Sequence, residues 1–251
     1  MKIEEYLGTL PSNLLSGEDA ELPQGALEDI FRFAGIGSGD VFYHLGCGSG
    51  RGVMTAMRLG AAKAVGVDNN PEKIRLAQEK LGESGAQMVC ADVRDADISD
   101  ATIILYWFAD EEITDRMLGR FKTLPPGVRI LTIWGPLPDC IPEKVRFPYI
   151  INKTPLQEAR NMQEQLTAVF GVDCVDFVTA WEFAERYTKA VGSPGAGNDR
   201  FLTIIQTLII WINARNLGMA CGEEIPDPIR AYMSIMRETF GIDFGHLLEQ
   251  T

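Results

Sequence analysis

The stretch from Val41 to Asn70 constrains this 251-residue chain more than any other. Val41-Phe42-Tyr43-His44-Leu45 is a β-rich run that empties into Gly46-Cys47-Gly48-Ser49-Gly50, and Val53 to Leu59 then carries apolar residues at helical spacing. A second strand, Ala64 to Val67, ends at Asp68. Glycines at alternate positions let the main chain turn sharply without Cβ clashes, so a ligand can lie against the backbone beside a helix N-terminus. Asp68, at the tip of the next strand, is placed to accept hydrogen bonds from two ribose hydroxyls. The spacing predicts a nucleoside crevice at the carboxyl ends of parallel strands.

Which nucleoside follows from the glycine count. A dinucleotide fingerprint needs a third small residue three positions after the second glycine, and that position is Arg51. A bulky arginine fits poorly with pyrophosphate on the helix N-terminus and with close helix packing, so a nicotinamide oxidoreductase is disfavoured. Elsewhere the pattern alternates. Gln24 to Ala34 reads as a helix that feeds the first strand, Glu72 to Leu81 as a helix with Pro71 in its first turn, and Ala86 to Cys90 as a third strand. Ala101 to Trp107 is a continuous apolar run, the mark of a strand buried on both faces. Glu111 to Phe121 reads as a helix, Val128 to Trp134 as a fifth strand and Val145 to Ile151 as a last one.

This rhythm predicts an α/β fold, a doubly wound, mostly parallel sheet over residues 1–153. From Thr154 the pattern turns helical, with Pro155 to Phe170, Val172 to Val191, Asp199 to Leu217 and Pro228 to Phe240, so residues 154–251 are expected to form an all-helical cap or dimerisation domain. Phe201 to Ile212 is apolar almost all round and requires burial within that domain or in a homodimer interface.

Composition excludes several classes. At 46% hydrophobic residues the chain can bury a substantial core. Its net charge of -12 opposes a nucleic-acid partner, which needs a basic surface, and favours a cationic substrate. The most apolar run is too short to cross a bilayer and no leader pattern opens the chain, so the expectation is a cytoplasmic protein without a membrane partner. Five cysteines without paired spacing indicate neither a disulfide framework nor a zinc site, and two histidines leave metal chemistry short of ligands.

Gly46-Cys47-Gly48-Ser49-Gly50, followed by Ala64-Val65-Gly66-Val67-Asp68-Asn69-Asn70-Pro71 and Asp97-Ile98-Ser99-Asp100-Ala101-Thr102, resembles the class I, seven-strand S-adenosylmethionine-dependent methyltransferases, and within them the archaeal protein-lysine methyltransferase family. The parallel covers roughly Leu22 to Ile151. It implies S-adenosylmethionine as cofactor, S-adenosylhomocysteine as product, and a protein-lysine or other amine acceptor. A small molecule enclosed by the helical cap is the second acceptor class. The resemblance assigns cofactor contacts to Gly46, Cys47, Gly48, Ser49, Gly50, Asp68, Asn69, Asp92 and Val93, with Gln24 near the methionine tail. Asp92 would meet the adenine amino group. The acidic residue similar proteins carry at the end of strand one is His44 here, which makes His44 a candidate base or neutral hydrogen bonder. Tyr106, at the exit of the fourth strand with Trp107 and Phe108, is the candidate for orienting the acceptor, alongside Asp110 and Glu111. His44 and the sequence around Asp92 also keep open a non-catalytic cofactor-binding protein.

Overall fold

The computed structural model describes residues 21–82, 85–108, 110–191 and 200–248. One compact unit runs to Asn161 and a second begins at Met162. In the first, helix α1 (Gln24–Ala34) buries Ala26, Leu27, Ile30, Phe31 and Ala34, the three- and four-residue spacing that gives a helix one apolar face. It ends on Gly35 in the left-handed region, with the Ile36 N–H returning to the Phe31 carbonyl. Then follow β1 (Val41–Leu45), α2 (Arg51–Arg58), β2 (Lys63–Asp68), α3 (Pro71–Leu81), β3 (Gln87–Cys90), β4 (Ile103–Tyr106), α4 (Glu111–Phe121) and β5 (Arg129–Ile133). Asn70 caps α3 by accepting from the Glu72 and Lys73 amides, and Pro71 occupies the first helical position, where its missing N–H costs no hydrogen bond.

The seven-stranded sheet has the order β3-β2-β1-β4-β5-β8-β7, in which β8 is Tyr149–Lys153 and β7 is Lys144–Arg146. Neighbours from β3 to β5 pair in parallel, whereas β8 is antiparallel to both β5 and β7. Strand order reverses between β1 and β4, so the loops leaving those two strands diverge and open a crevice at their carboxyl ends. Ile103, Ile104 and Leu105 are wholly buried, as expected for a central strand covered on both faces, and each stabilises the fold by roughly 1.5–3 kcal/mol through burial.

Two features of this unit depart from the sequence reading. The single last strand expected from Val145 to Ile151 is a hairpin of β7 and β8, interrupted at Phe147-Pro148, because Pro148 has no N–H for a ladder bond. Residues past Lys153 include a strand where only helix is expected. Gln157–Glu158 (β9) pairs with Cys140–Ile141 (β6), and the first unit extends through Asn161.

The second unit contains α5 (Met162–Phe170), α6 (Phe177–Val191), α7 (Arg200–Asn216), α8 (Asp227–Phe240) and a 3-10 turn at Gly245–Leu248. Trp211, Leu208, Leu202 and Ile212 make α7 the buried centre of its unit. A disulfide joins Cys174 to Cys221, which corrects the expectation that the cysteines stay unpaired. The Val175 amide bonds the Met219 carbonyl at 2.8 Å and the Cys221 amide bonds the Val175 carbonyl at 3.0 Å, so a short parallel bridge brings together thiols 47 residues apart. This bridge also delays α6, which starts at Phe177 rather than Val172, with Asp176 accepting from the Thr179 amide.

Candidate active site

The glycine turn after β1 is built from three glycines in the left-handed region, Gly46 at φ 72°, Gly48 at 51° and Gly50 at 77°. L-residues with a Cβ pay roughly 1–2 kcal/mol there, which is why the alternation is needed. Most of the turn's amides are satisfied internally. Those of Gly46 and Cys47 bond the Val67 carbonyl at 2.8 and 2.9 Å, that of Gly50 bonds the Cys47 carbonyl at 3.0 Å, and that of Gly48 donates to Asp68 Oδ2 at 2.9 Å. The Ser49 amide faces outward. Both it and the Ser49 hydroxyl donate to the carboxylate of Glu21, the hydroxyl at 2.8 Å.

Asp68 ends β2 with its side chain buried against the turn, and its other oxygen accepts from the Asn70 amide at 2.9 Å. Each carboxylate oxygen has two lone pairs, so one stays available on each for a ligand hydroxyl. Asn69 is exposed beside it. Cys47 is buried under the turn, and burial pushes its thiol pKa well up, which keeps it protonated and unreactive.

His44, Leu45, Gly46, Cys47, Glu21 and Trp107 line one pocket at the carboxyl end of β1. His44 is half-buried and lines that pocket, and its Nδ1 is buried without a hydrogen-bond partner among the described residues. Burial lowers its pKa to about 4, so the imidazole is neutral at pH 7. A Cβ on Gly52 would lie 2.5 Å from His44 Nδ1. The close helix–strand approach that a third small residue serves in a dinucleotide fold is made here by Gly52, one position after Arg51.

The remaining candidates separate. Tyr106 is buried in the core, stacked on Phe108 at 5.0 Å and edge-on to Phe121 at 5.4 Å, and its hydroxyl is hydrogen-bonded to Thr114 Oγ1 at 2.9 Å. Burial raises its pKa. The alternation of β4 explains this, since Ile104 and Tyr106 share the face that meets Met117 and Phe121 of α4. Trp107 is the residue of this exit that reaches the pocket, while the Phe108 ring lies over Gly46, 2.8 Å from where a Cβ would stand. Asp110 caps α4 through the Ile113 amide. Asp92 leaves β3 as expected, but both its oxygens are forked by the Arg94 guanidinium at 2.9 and 2.7 Å, which, with the Arg94 amide, holds its pKa at about 2. Val93 points into the core. Gln24 bonds Glu28 and Thr55, tying α1 to α2, and does not line the pocket. Glu21, Leu22, Arg51 and Gly52 also line the pocket, and the local sequence marks none of them as its residues.

A family profile described as a methyltransferase domain matches residues 42–121. A protein-lysine N-methyltransferase of Saccharolobus islandicus is 34% identical over 116 residues, covering 44% of this chain and 71% of that protein. The chain belongs to the class I S-adenosylmethionine-dependent methyltransferases. A ribosomal protein L11 methyltransferase of Salmonella arizonae is 30% identical over 100 residues, 40% of this chain, and the chain spans only 32% of that relative. The crystal structure of an RNA methyltransferase from Salinibacter ruber in complex with S-adenosyl-L-homocysteine shares the fold, with a TM-score of 0.52 at 22% identity, over 57% of this methyltransferase and 99% of that chain. The residues fit the cofactor of the class. The methyltransferase has a left-handed glycine turn, an outward amide at Ser49 that already binds one carboxylate, and a second carboxylate with spare lone pairs at Asp68, beside a pocket lined by His44.

Proposed function

We propose that this methyltransferase modifies the side-chain amine of lysine in a protein acceptor. The observation that carries the reading is the 34% identity to the archaeal protein-lysine enzyme across 71% of that protein's length. Two features of the chain support it. A net charge of -12 attracts lysine-rich segments, and Trp107 and Phe108 present aromatic surface beside the glycine turn, where a cation is favoured.

S-adenosylmethionine supplies a methyl group already activated by a sulfonium, so the protein's work is chiefly holding and desolvation. The glycine turn holds the amino-acid end and Asp68 the ribose. Trp107 and Phe108 exclude water from the exit of β4. An amine must arrive neutral to attack, and His44, with its pKa near 4, is too weak a base to take a proton from an ammonium of pKa about 10.4. Deprotonation is left to solvent, and activity rises with pH through the neutral range.

The test is incubation with methyl-labelled S-adenosylmethionine and cell extract, followed by mass spectrometry of labelled protein. Methyl-lysine in protein supports the reading. Label confined to soluble small molecules sinks it and makes the helical unit the candidate lid of a small-molecule enzyme.

A further inference from the structure

The donors that hold Glu21 are those a ligand carboxylate would use. Its Oε1 accepts from the Ser49 amide, its Oε2 accepts from the Ser49 hydroxyl at 2.8 Å, and the Arg51 guanidinium lies 3.3 Å away. Arg51 also donates to the Leu22 carbonyl at 3.1 Å, which fixes the main chain beside Glu21. An outward amide, a hydroxyl and a guanidinium at the start of an eight-residue helix form an anion cradle, and the anion in it comes from the protein itself.

Two further observations say that this carboxylate stands in a ligand's place. A Cβ built on Gly48 would lie 2.7 Å from Glu21 Oε1, so the space that the glycine leaves open is filled by Glu21. His44 lines the same pocket, and its Nδ1 is buried with no hydrogen-bond partner among the described residues.

We propose that Glu21 is an internal competitor that occupies the subsite of the cofactor's α-carboxylate, and that cofactor binding displaces it. The inference rests on the S-adenosylmethionine-binding reading of the crevice. It differs from a role in which Glu21 anchors the cofactor's α-ammonium, because the Glu21 oxygens face donors and an arginine rather than open space. Competition of this kind lowers apparent affinity by the fraction of molecules in which the cradle is free, so a cradle free in about a tenth of molecules weakens binding roughly tenfold.

The test is titration calorimetry of wild type, Glu21→Ala and Glu21→Gln with S-adenosylhomocysteine and with 5′-methylthioadenosine, which keeps the nucleoside and lacks the amino-acid moiety. Displacement predicts that Glu21→Ala tightens S-adenosylhomocysteine binding roughly tenfold, that Glu21→Gln tightens it less, and that 5′-methylthioadenosine binds all three proteins alike. Equal or weaker S-adenosylhomocysteine binding by both variants overturns the proposal, weaker binding pointing to an ammonium anchor. Failure of either molecule to bind any of the three proteins overturns the cofactor reading itself, and the competitor with it.

Discussion

Replacing Asp68 with asparagine separates the two tasks assigned to that carboxylate. In the fold it accepts from the Gly48 and Asn70 amides, each at 2.9 Å, with the side chain almost wholly buried. Asparagine offers one carbonyl oxygen, so in either amide orientation its NH2 group faces one of these backbone donors. A buried donor left unsatisfied costs about 1–3 kcal/mol, which at this size lowers Tm by roughly 5 °C. Hydrogen bonds from ribose hydroxyls to a charged acceptor contribute about 1.5–3 kcal/mol, so S-adenosylhomocysteine should bind Asp68→Asn about 10- to 100-fold more weakly. Calorimetric Kd and thermal melts measure both effects. Asp100→Asn is the control, since Asp100 binds the Tyr43 hydroxyl at 2.6 Å and Lys63 Nζ at 2.8 Å at the other end of the sheet. It should lower Tm with Kd unchanged. If Asp68→Asn binds S-adenosylhomocysteine within twofold of wild type, the ribose role of Asp68 is wrong.

Other outcomes follow from single contacts. Gly52→Ala puts a methyl 2.5 Å from His44 Nδ1, and such overpacking should cost about 1–3 kcal/mol in denaturant titrations. His44 has a folded pKa of about 4 against an ordinary value near 6.5, so the unfolded chain binds the extra proton as pH falls between them. Its contribution is full above pH 6.5 and lost as pH approaches 4, about 3 kcal/mol at most. His44→Gln should therefore flatten the acid limb of stability, and an unchanged limb would contradict the burial argument. With Cys174 and Cys221 paired, the denatured, unreduced protein should titrate three thiols, Cys47, Cys90 and Cys140, of which only exposed Cys90 reacts rapidly in the native state. Closing a loop of 47 residues is worth about 4 kcal/mol by chain entropy, so reduction should lower the stability of the second unit.

The parallel half of the sheet is legible because each strand is a short apolar run bounded by a glycine, a proline or a cap. The glycine turn and Asp68 also declare themselves, since no L-side chain replaces three left-handed positions in five residues. What is not legible depends on contacts remote in sequence. Nothing near Cys174 points to Cys221, and the bridge at Val175 and Ala220 that joins them exists only in the fold. The hairpin at Phe147-Pro148 is hidden inside a run that reads as one strand. Tyr106 and Trp107 are adjacent and chemically alike, and only the phase of β4 sends the first to the core and the second to the pocket. Glu21 is invisible as a pocket residue because its partners, Ser49 and Arg51, lie about thirty positions away, and nothing local marks it.

The central claim is that S-adenosylmethionine binds against the Gly46 to Gly50 turn. Its most direct test is a calorimetric titration of wild type and Gly48→Arg with S-adenosylhomocysteine, with circular dichroism confirming that the variant is folded. One site per chain is expected in the wild type, and no measurable binding to the folded variant. Binding of equal affinity to both proteins would contradict the claim and place the cofactor elsewhere.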